Sequence, residues 1–518
     1  MSRLHAAARQ VGRAALAACL IASSPASALP GGIPGPADSA GAGQCTAPVG
    51  IDLTAEWRHP RTTFQGWGTS LAWFASTTGN WPDPIRNRLA DLFYGADGLG
   101  WTIARYDIGG GRKPGTPPLA RPNANVPGLW RMPAGATGND WWRADDPAMW
   151  DWSADSGQQW WLDAVKARVP EGTRLLEATA YSPPWFMTVS GDVAGAAKPY
   201  QPNLRPGFEP QFAEYLVRAM QGLERHHGVR FHSLEPLNEP NTPYWVSGNR
   251  QEGNFFDPVG QSRMLIATDA ALRAHGSAAI LSAMDETNHD TFVRDWMGMT
   301  DRAKALMRQL NVHSYSTTGA SGVRDVATVT GLPLWMSEVD LSAANSVQDF
   351  ANVPSALALG EQIVLDLKRL EPAAWVIWQG SEPSAVGTDK GSNWGLVRTD
   401  MSTAQPADKS LHVTAKYWAM ASFSRTIRPG FRLVRNDDPD TITAIGPDGR
   451  TAVVVHVNHG PFDRRLAIGG LPGGRWSVAS VTNDARPVST AACGTESNVP
   501  VSIAAKRSIT AIRLVRRD

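Results

Sequence analysis

Between residues 64 and 379 the chain repeats one pattern: a short, continuous apolar run, then a segment with apolar residues at helical spacing. The apolar runs are 64–73, 101–108, 175–181, 230–234 leading to Glu239, 279–285, 311–315, 333–338 and 373–379. Helical patterns fall at 82–93, 160–169, 210–226, 261–274, 301–309 and 356–370. In 210–226, for instance, Phe212, Tyr215, Leu216, Ala219 and Leu223 recur on one helical face. Strands that are apolar throughout, rather than alternating, belong to parallel sheets covered on both faces. Eight of them interleaved with helices predict an α/β fold, a closed (β/α)8 TIM barrel.

From about residue 411 the texture changes. Short strand patterns lie at 431–434, 441–445, 451–457, 476–481 and 509–515, with a Pro447-Asp448-Gly449 turn between two of them. They predict an appended antiparallel β-sandwich. A lone alternating segment at 51–57 is expected to join it. The expected organisation is an N-terminal strand at 49–60, a catalytic barrel at 61–410 and a sandwich at 411–518.

The first residues read as a secretory signal. Arg3, Arg9 and Arg13 precede an apolar stretch at 14–22, too short to span a bilayer, and Ala26-Ser27-Ala28 is a small-residue cleavage site. Leu16-Ala17-Ala18-Cys19 offers a competing lipoprotein reading, with a short apolar run against it. A Pro/Gly/Ala/Ser linker at 29–48 follows the signal at 1–28. Export leaves Cys45 and Cys493, expected to pair as a disulfide; two separate buried thiols are the alternative. A formal charge of +1 over 518 residues gives no reason to expect nucleic acid or an anionic membrane as partner. The expectation is a secreted monomer with no membrane association after signal cleavage.

A barrel of this kind carries its active site at the C-terminal ends of its strands. The run Leu234-Glu235-Pro236-Leu237-Asn238-Glu239-Pro240 puts Glu239 there, since Pro236 and Pro240 forbid a helix. Pro333-Leu334-Trp335-Met336-Ser337-Glu338 repeats the pattern on the seventh strand. Two carboxylates facing each other across the mouth suit glycosidic bond cleavage, at about 5–5.5 Å if the mechanism is retaining. Glu338 would then be the nucleophile and Glu239 the acid/base, its pKa raised by burial and by the charge of Glu338. Either could instead be a structural ion-pair partner. Glu177 and Glu235 fall earlier in their strands and read as buried hydrogen-bond partners. Asp107 and Asp285, at strand ends, read as groups for sugar hydroxyls.

There are 21 tryptophans. Most should pack the core, but Trp73, Trp185, Trp245 and Trp378 lie at or just past strand ends, where a flat ring can stack on a sugar. Gly109-Gly110-Gly111-Arg112 lacks the Lys-Ser/Thr of a phosphate loop, His226-His227 lacks metal-ligand spacing, and there is no Gly-x-Ser-x-Gly elbow. No metal and no organic cofactor is expected.

Over roughly residues 50–518 the sequence resembles glycoside hydrolase family 30, within it the endo-β-1,6-galactanases. The likeness is carried by Gly66-Trp67-Gly68-Thr69-Ser70-Leu71-Ala72-Trp73, Ala104-Arg105-Tyr106-Asp107-Ile108-Gly109-Gly110, Ser182-Pro183-Pro184-Trp185-Phe186-Met187, Asn238-Glu239-Pro240, Gln251-Glu252-Gly253, Glu338 and Lys416-Tyr417-Trp418. It implies a retaining barrel fused to a β-sandwich, with Glu239 as acid/base and Glu338 as nucleophile. Asn238 would hold the 2-hydroxyl of the sugar at the cleavage point, and Arg105, Tyr315 and Trp378 would line its subsite. Val339 stands where relatives often carry an aromatic residue. The implied substrate is the β-1,6-galactan of arabinogalactan side chains. An exo-β-1,6-galactobiohydrolase, a β-1,6-glucanase or a glucuronoxylanase are the neighbouring alternatives, and an idle carbohydrate-binding module the alternative from another class.

Overall fold

The computed structural model describes residues 47–517 except 122, 317, 342–349, 384–394, 400, 402–410, 490, 491, 497 and 498. The expected signal, nearly all of the linker and Cys45 lie outside the described residues. Cys493 falls in the strand Ala492–Glu496, whose side chains are not described, so the expected bridge lies outside them too.

Eight parallel strands close into a barrel. In order they are Gly66–Ser70, Ile103–Asp107, Leu175–Thr179, Ser233–Glu235, Ile280–Glu286, Gln309–His313, Leu334–Glu338 and Ala374–Gln379. The last pairs with the first, Val376 beside Gly68. Side chains alternate between the two faces. On the second strand Ala104 and Tyr106 point outward into the main apolar core under the helices. Ile103 points inward, onto Trp335, Ala374 and Val376, which plug one end of the barrel. Arg105 and Asp107 point inward nearer the other end, so the upper interior is polar.

The helix Glu209–His227 shows how sequence sets one outer layer. Pro210 opens it, Gly228 closes it in a left-handed conformation, and Phe212, Tyr215, Leu216, Ala219 and Leu223 are buried. Each large apolar side chain so buried contributes roughly 1.5–3 kcal/mol.

Several boundaries differ from the sequence reading. The fourth strand has only three residues, because Pro236 cannot extend the ladder. Glu239 therefore lies on a turn beyond the strand. The helix expected at 301–309 is a single turn, Asp301–Lys304, and Gln309 already belongs to the sixth strand. Helices His289–Gly298 and Ala320–Thr330 were not expected; each fully buries few large apolar side chains. The helix Ala415–Ser424 belongs to the barrel rather than to the sandwich. Tyr417 Oη donates to the carbonyl of Leu92 at 2.8 Å and Ser424 Oγ to that of Leu99 at 2.9 Å. It is the helix the eighth strand requires, and it lies beyond residue 411, where the sequence reading began the sandwich.

The C-terminal domain has a six-stranded sheet facing a four-stranded one. The strand Val49–Thr54 sits at the edge of the smaller sheet, parallel to Arg464–Gly469. Leu53, Trp57, Val454, Leu466, Ile468, Ile512 and Leu514 form the core between the sheets.

Candidate active site

The turn after the fourth strand puts Glu239 in the barrel mouth. Its φ is +44°, its amide donates to the carbonyl of Asp285 at 2.9 Å, and Trp245 Nε1 donates to its own carbonyl at 2.8 Å. A non-glycine residue held in the left-handed region is uncommon and is kept where its neighbours over-determine it. Glu338 is the last residue of the seventh strand and points into the same mouth. Both are buried but not sealed, at 7% and 4% exposure.

Between them stands His313, from the end of the sixth strand. Its Nδ1 lies 3.2 Å from Glu239 Oε1 and 3.6 Å from Glu338 Oε1, and its Nε2 lies 3.2 Å from Asp285 Oδ1. Burial opposes a charged ring, but the carboxylates of Glu338 and Asp285 outweigh it and push the His313 pKa well above its ordinary value. One oxygen from each glutamate and one nitrogen of His313 all lie within 4.8 Å of one another. Such a trio has metal-ligand spacing, and a metal there would have to displace the proton of His313.

Below this trio the barrel holds a sealed ionic network. Arg105 Nε donates to Glu177 Oε1 at 2.8 Å, its Nη2 to Asp285 Oδ2 at 2.5 Å, and its Nη1 lies 3.8 Å from Glu338 Oε2. Glu177 also accepts from Ser233, Gln309 and Asn311. Ser337 Oγ donates to Asp285 Oδ1 at 2.6 Å. Burial works against the charge of Asp285, yet Arg105 and then His313 hold its carboxyl below the usual range. Glu235, which accepts from Asn311, is pushed well up by burial and by the charges of Asp285 and Glu177.

Burial, and then the charge of Glu239, raise the Glu338 pKa to about 8, with His313 and Arg105 partly opposing. Asp285 beneath Glu338 adds to the rise. A carboxyl raised to about 8 is mostly protonated at neutral pH.

The other expected contacts divide. Asn238 reaches the mouth with Oδ1 lacking a hydrogen-bond partner. Tyr315 is 39% exposed and donates to Glu338 Oε1 at 2.9 Å. Trp73 and Trp378 meet edge to face at 4.9 Å on the first-strand side of the mouth, with the Arg121 guanidinium over Trp73. Arg105 and Asp107 are sealed from solvent and face protein rather than an open subsite. Burial, then Glu252 and Asp155, raise the Asp107 pKa well above its ordinary value. Trp185 and Trp245 are also enclosed. Trp185 packs among Trp130, Trp141 and Phe186, because the Ser182-Pro183-Pro184 turn folds its ring back onto the 111–153 insert. Trp245 lies beneath Glu239 and Tyr244.

His313 and Tyr244 were missed by sequence reasoning. Tyr244 Oη donates to Glu239 Oε2 at 2.5 Å. For His313 a signal existed: side chains two apart on a strand share a face, so a Tyr315 in the mouth implies His313 there too. Tyr244 sits on a loop, where no periodicity speaks.

Compared with known families, residues 48–322 match the O-glycosyl hydrolase family 30 model. The chain belongs to family 30. Among similar proteins, an endo-β-1,6-galactanase of Hypocrea rufa is 27% identical over 466 residues, covering 84% of this chain and 88% of its own. An exo-β-1,6-galactobiohydrolase of Bifidobacterium longum subsp. longum is 26% identical over 521 residues, covering 78% of this chain and 34% of its own. The catalytic domain of a GH30 xylanase C from Talaromyces cellulolyticus shares the fold, with a TM-score of 0.66 at 17% identity over 90% of this chain and 100% of its own. The protein is thus an O-glycosyl hydrolase built on a barrel with an appended β-domain.

Proposed function

We propose that this family 30 hydrolase is a retaining enzyme that cuts β-1,6-linked galactose chains of arabinogalactan. The observation that carries the mechanism is the approach of Glu239 and Glu338 within 4.8 Å. A retaining enzyme places its carboxyls about 5–5.5 Å apart, an inverting one roughly 6.5–9.5 Å, to admit a water between them. In this reading Glu338, aligned by Tyr315 and with Arg105 beneath it, attacks the anomeric carbon. The bond to the leaving oxygen breaks as Glu239 gives that oxygen its proton. Water then attacks the glycosyl–Glu338 ester, passing its proton to Glu239 and restoring both groups. The unpartnered Oδ1 of Asn238 is free to accept the 2-hydroxyl of the sugar.

The Glu338 titration sets a pH dependence. As nucleophile it must be ionised, and its proton leaves as pH rises through about 8. The kcat/KM profile should therefore lose about tenfold per unit as pH falls below 8. A profile flat between about pH 5 and 8 would separate catalysis from this titration.

The likeness to the endo-β-1,6-galactanase over 84% of the chain supports the substrate. A time course on arabinofuranosidase-treated arabinogalactan tests it. Endo action gives an early ladder of β-1,6-galacto-oligosaccharides. The exo reading, favoured by the Bifidobacterium longum relative, gives galactobiose alone from the first minutes. Release from β-1,6-glucan or glucuronoxylan, with none from galactan, would overturn the substrate and leave the two glutamates in place.

A further inference from the structure

We propose that Tyr244 and Tyr200 form the binding site for the sugar units on the leaving-group side of the cleavage point, Tyr244 nearest Glu239 and Tyr200 one unit further out. This rests on the reading of Glu239 as the acid. The acid protonates the leaving oxygen, so the departing chain lies on the side of Glu239 and away from Glu338. Both tyrosines stand on that side and both are open, Tyr244 at 39% and Tyr200 at 58% exposure.

The loops that carry them are built as one wall. After the third strand the chain runs past Trp185 to Tyr200; after the fourth it runs past Glu239 and Tyr244 to Phe255. The two pair at Ala196 with Val246 and at Pro202 with Phe255. Asn203 N donates to Asn254 Oδ1 at 3.0 Å, and Gly253 N to the carbonyl of Val193 at 2.9 Å. Trp245 is wedged between the loops. A Cβ on Gly253 would stand 2.0 Å from Trp245 Cε3, and one on Gly195 2.2 Å from the Trp245 carbonyl carbon. The glycine of the Gln251-Glu252-Gly253 motif is therefore a packing requirement of this wall. Phe256 N donates to the carbonyl of Pro240 at 3.0 Å, tying the wall to the residue after Glu239.

On this rigid support each tyrosine presents its ring outward. Tyr244 rests edge to face on Trp245 at 4.6 Å, with its hydroxyl on Glu239. Tyr200 rests on the buried Phe255 at 5.7 Å, and its φ is +58°. A large side chain in the left-handed region, exposed and yet propped from behind, is costly to keep and is found where a site needs it. A flat exposed ring suits the C–H face of a pyranose. A 1,6-linked chain has an extra rotatable bond at each linkage, so a preorganised stacking surface restrains what the chain leaves loose.

Tyr200→Ala tests the proposal, since Tyr200 takes no part in the chemistry. Its kcat/KM on long β-1,6-galacto-oligosaccharides should fall about tenfold, mainly through KM. Hydrolysis of p-nitrophenyl β-1,6-galactobioside, whose leaving group is a nitrophenol, should be unchanged, and Tyr200→Trp should restore the long-chain rate. An equal loss on both substrates would mean that Tyr200 only covers Phe255, and no loss on either would remove the subsite; either result overturns the proposal. If the wild-type enzyme cleaves another β-glycan instead of galactan, the same chain-length comparison on that polymer decides the subsite independently of the galactan reading.

Discussion

Glu338→Ala is expected to lower kcat on β-1,6-galactan by at least about 10⁴-fold while leaving the fold intact. Glu338 lies at the rim of the ionic network. Its nearest guanidinium contact is 3.8 Å, whereas the tight bonds of Arg105 go to Glu177 and Asp285. Removing it takes away the attacking oxygen but orphans no sealed charge. It also leaves a small cavity beside the anomeric carbon, next to the His313 imidazolium and the Tyr315 hydroxyl. A small anion such as azide should enter that cavity, attack from the same face and give a glycosyl azide of inverted configuration. Glu239→Ala should behave differently. Its loss should be large on galactan, about 10²–10⁴-fold, and small on substrates whose leaving group needs no proton. Near wild-type sugar release from Glu338→Ala would refute the mechanism outright.

Arg105→Met is expected to destabilise the barrel by about 3–5 kcal/mol, the cost of orphaning buried charges. Arg105, Glu177 and Asp285 are all sealed from solvent. Methionine matches the shape of the arginine stem but leaves two carboxylates without their cation. The unfolding midpoint should drop by roughly 5–10 °C at pH 7. The sign of the pH dependence follows. Losing the cation raises the folded-state pKa of Asp285 in the variant. The penalty is then greatest at neutral pH and shrinks as acid protonates that carboxyl, so wild type and variant should converge as pH falls. An unchanged midpoint at pH 7 would mean that these carboxyls are not charged in the folded barrel.

The glycosidase site was legible to the extent that its parts were local. Pro236 and Pro240 marked Glu239, and a proline-led apolar run marked Glu338, because proline geometry and strand periodicity act between near neighbours. Reading the same rule one step further would have found His313 beside Tyr315. The sequence reading failed where burial depends on a distant partner. Trp185 sits at a strand end, as a sugar platform would, but the 111–153 insert covers it. Arg105 looked like a subsite residue, but Glu177 and Asp285 hold it 72 and 180 positions along the chain.

By itself, then, the sequence determined the alternation of strands and helices, the barrel that follows from it, the presence of an antiparallel domain after it, and the two glutamates at the mouth. All of these follow from side-chain spacing and backbone geometry over a few residues. Only the tertiary structure decided which carboxyls are sealed, that burial raises Glu338, which tryptophans are core, and which tyrosines stand open beside the acid. Those properties are set by desolvation and by Coulomb interactions between groups that the closed barrel and its packed loops alone bring within a few ångströms of one another.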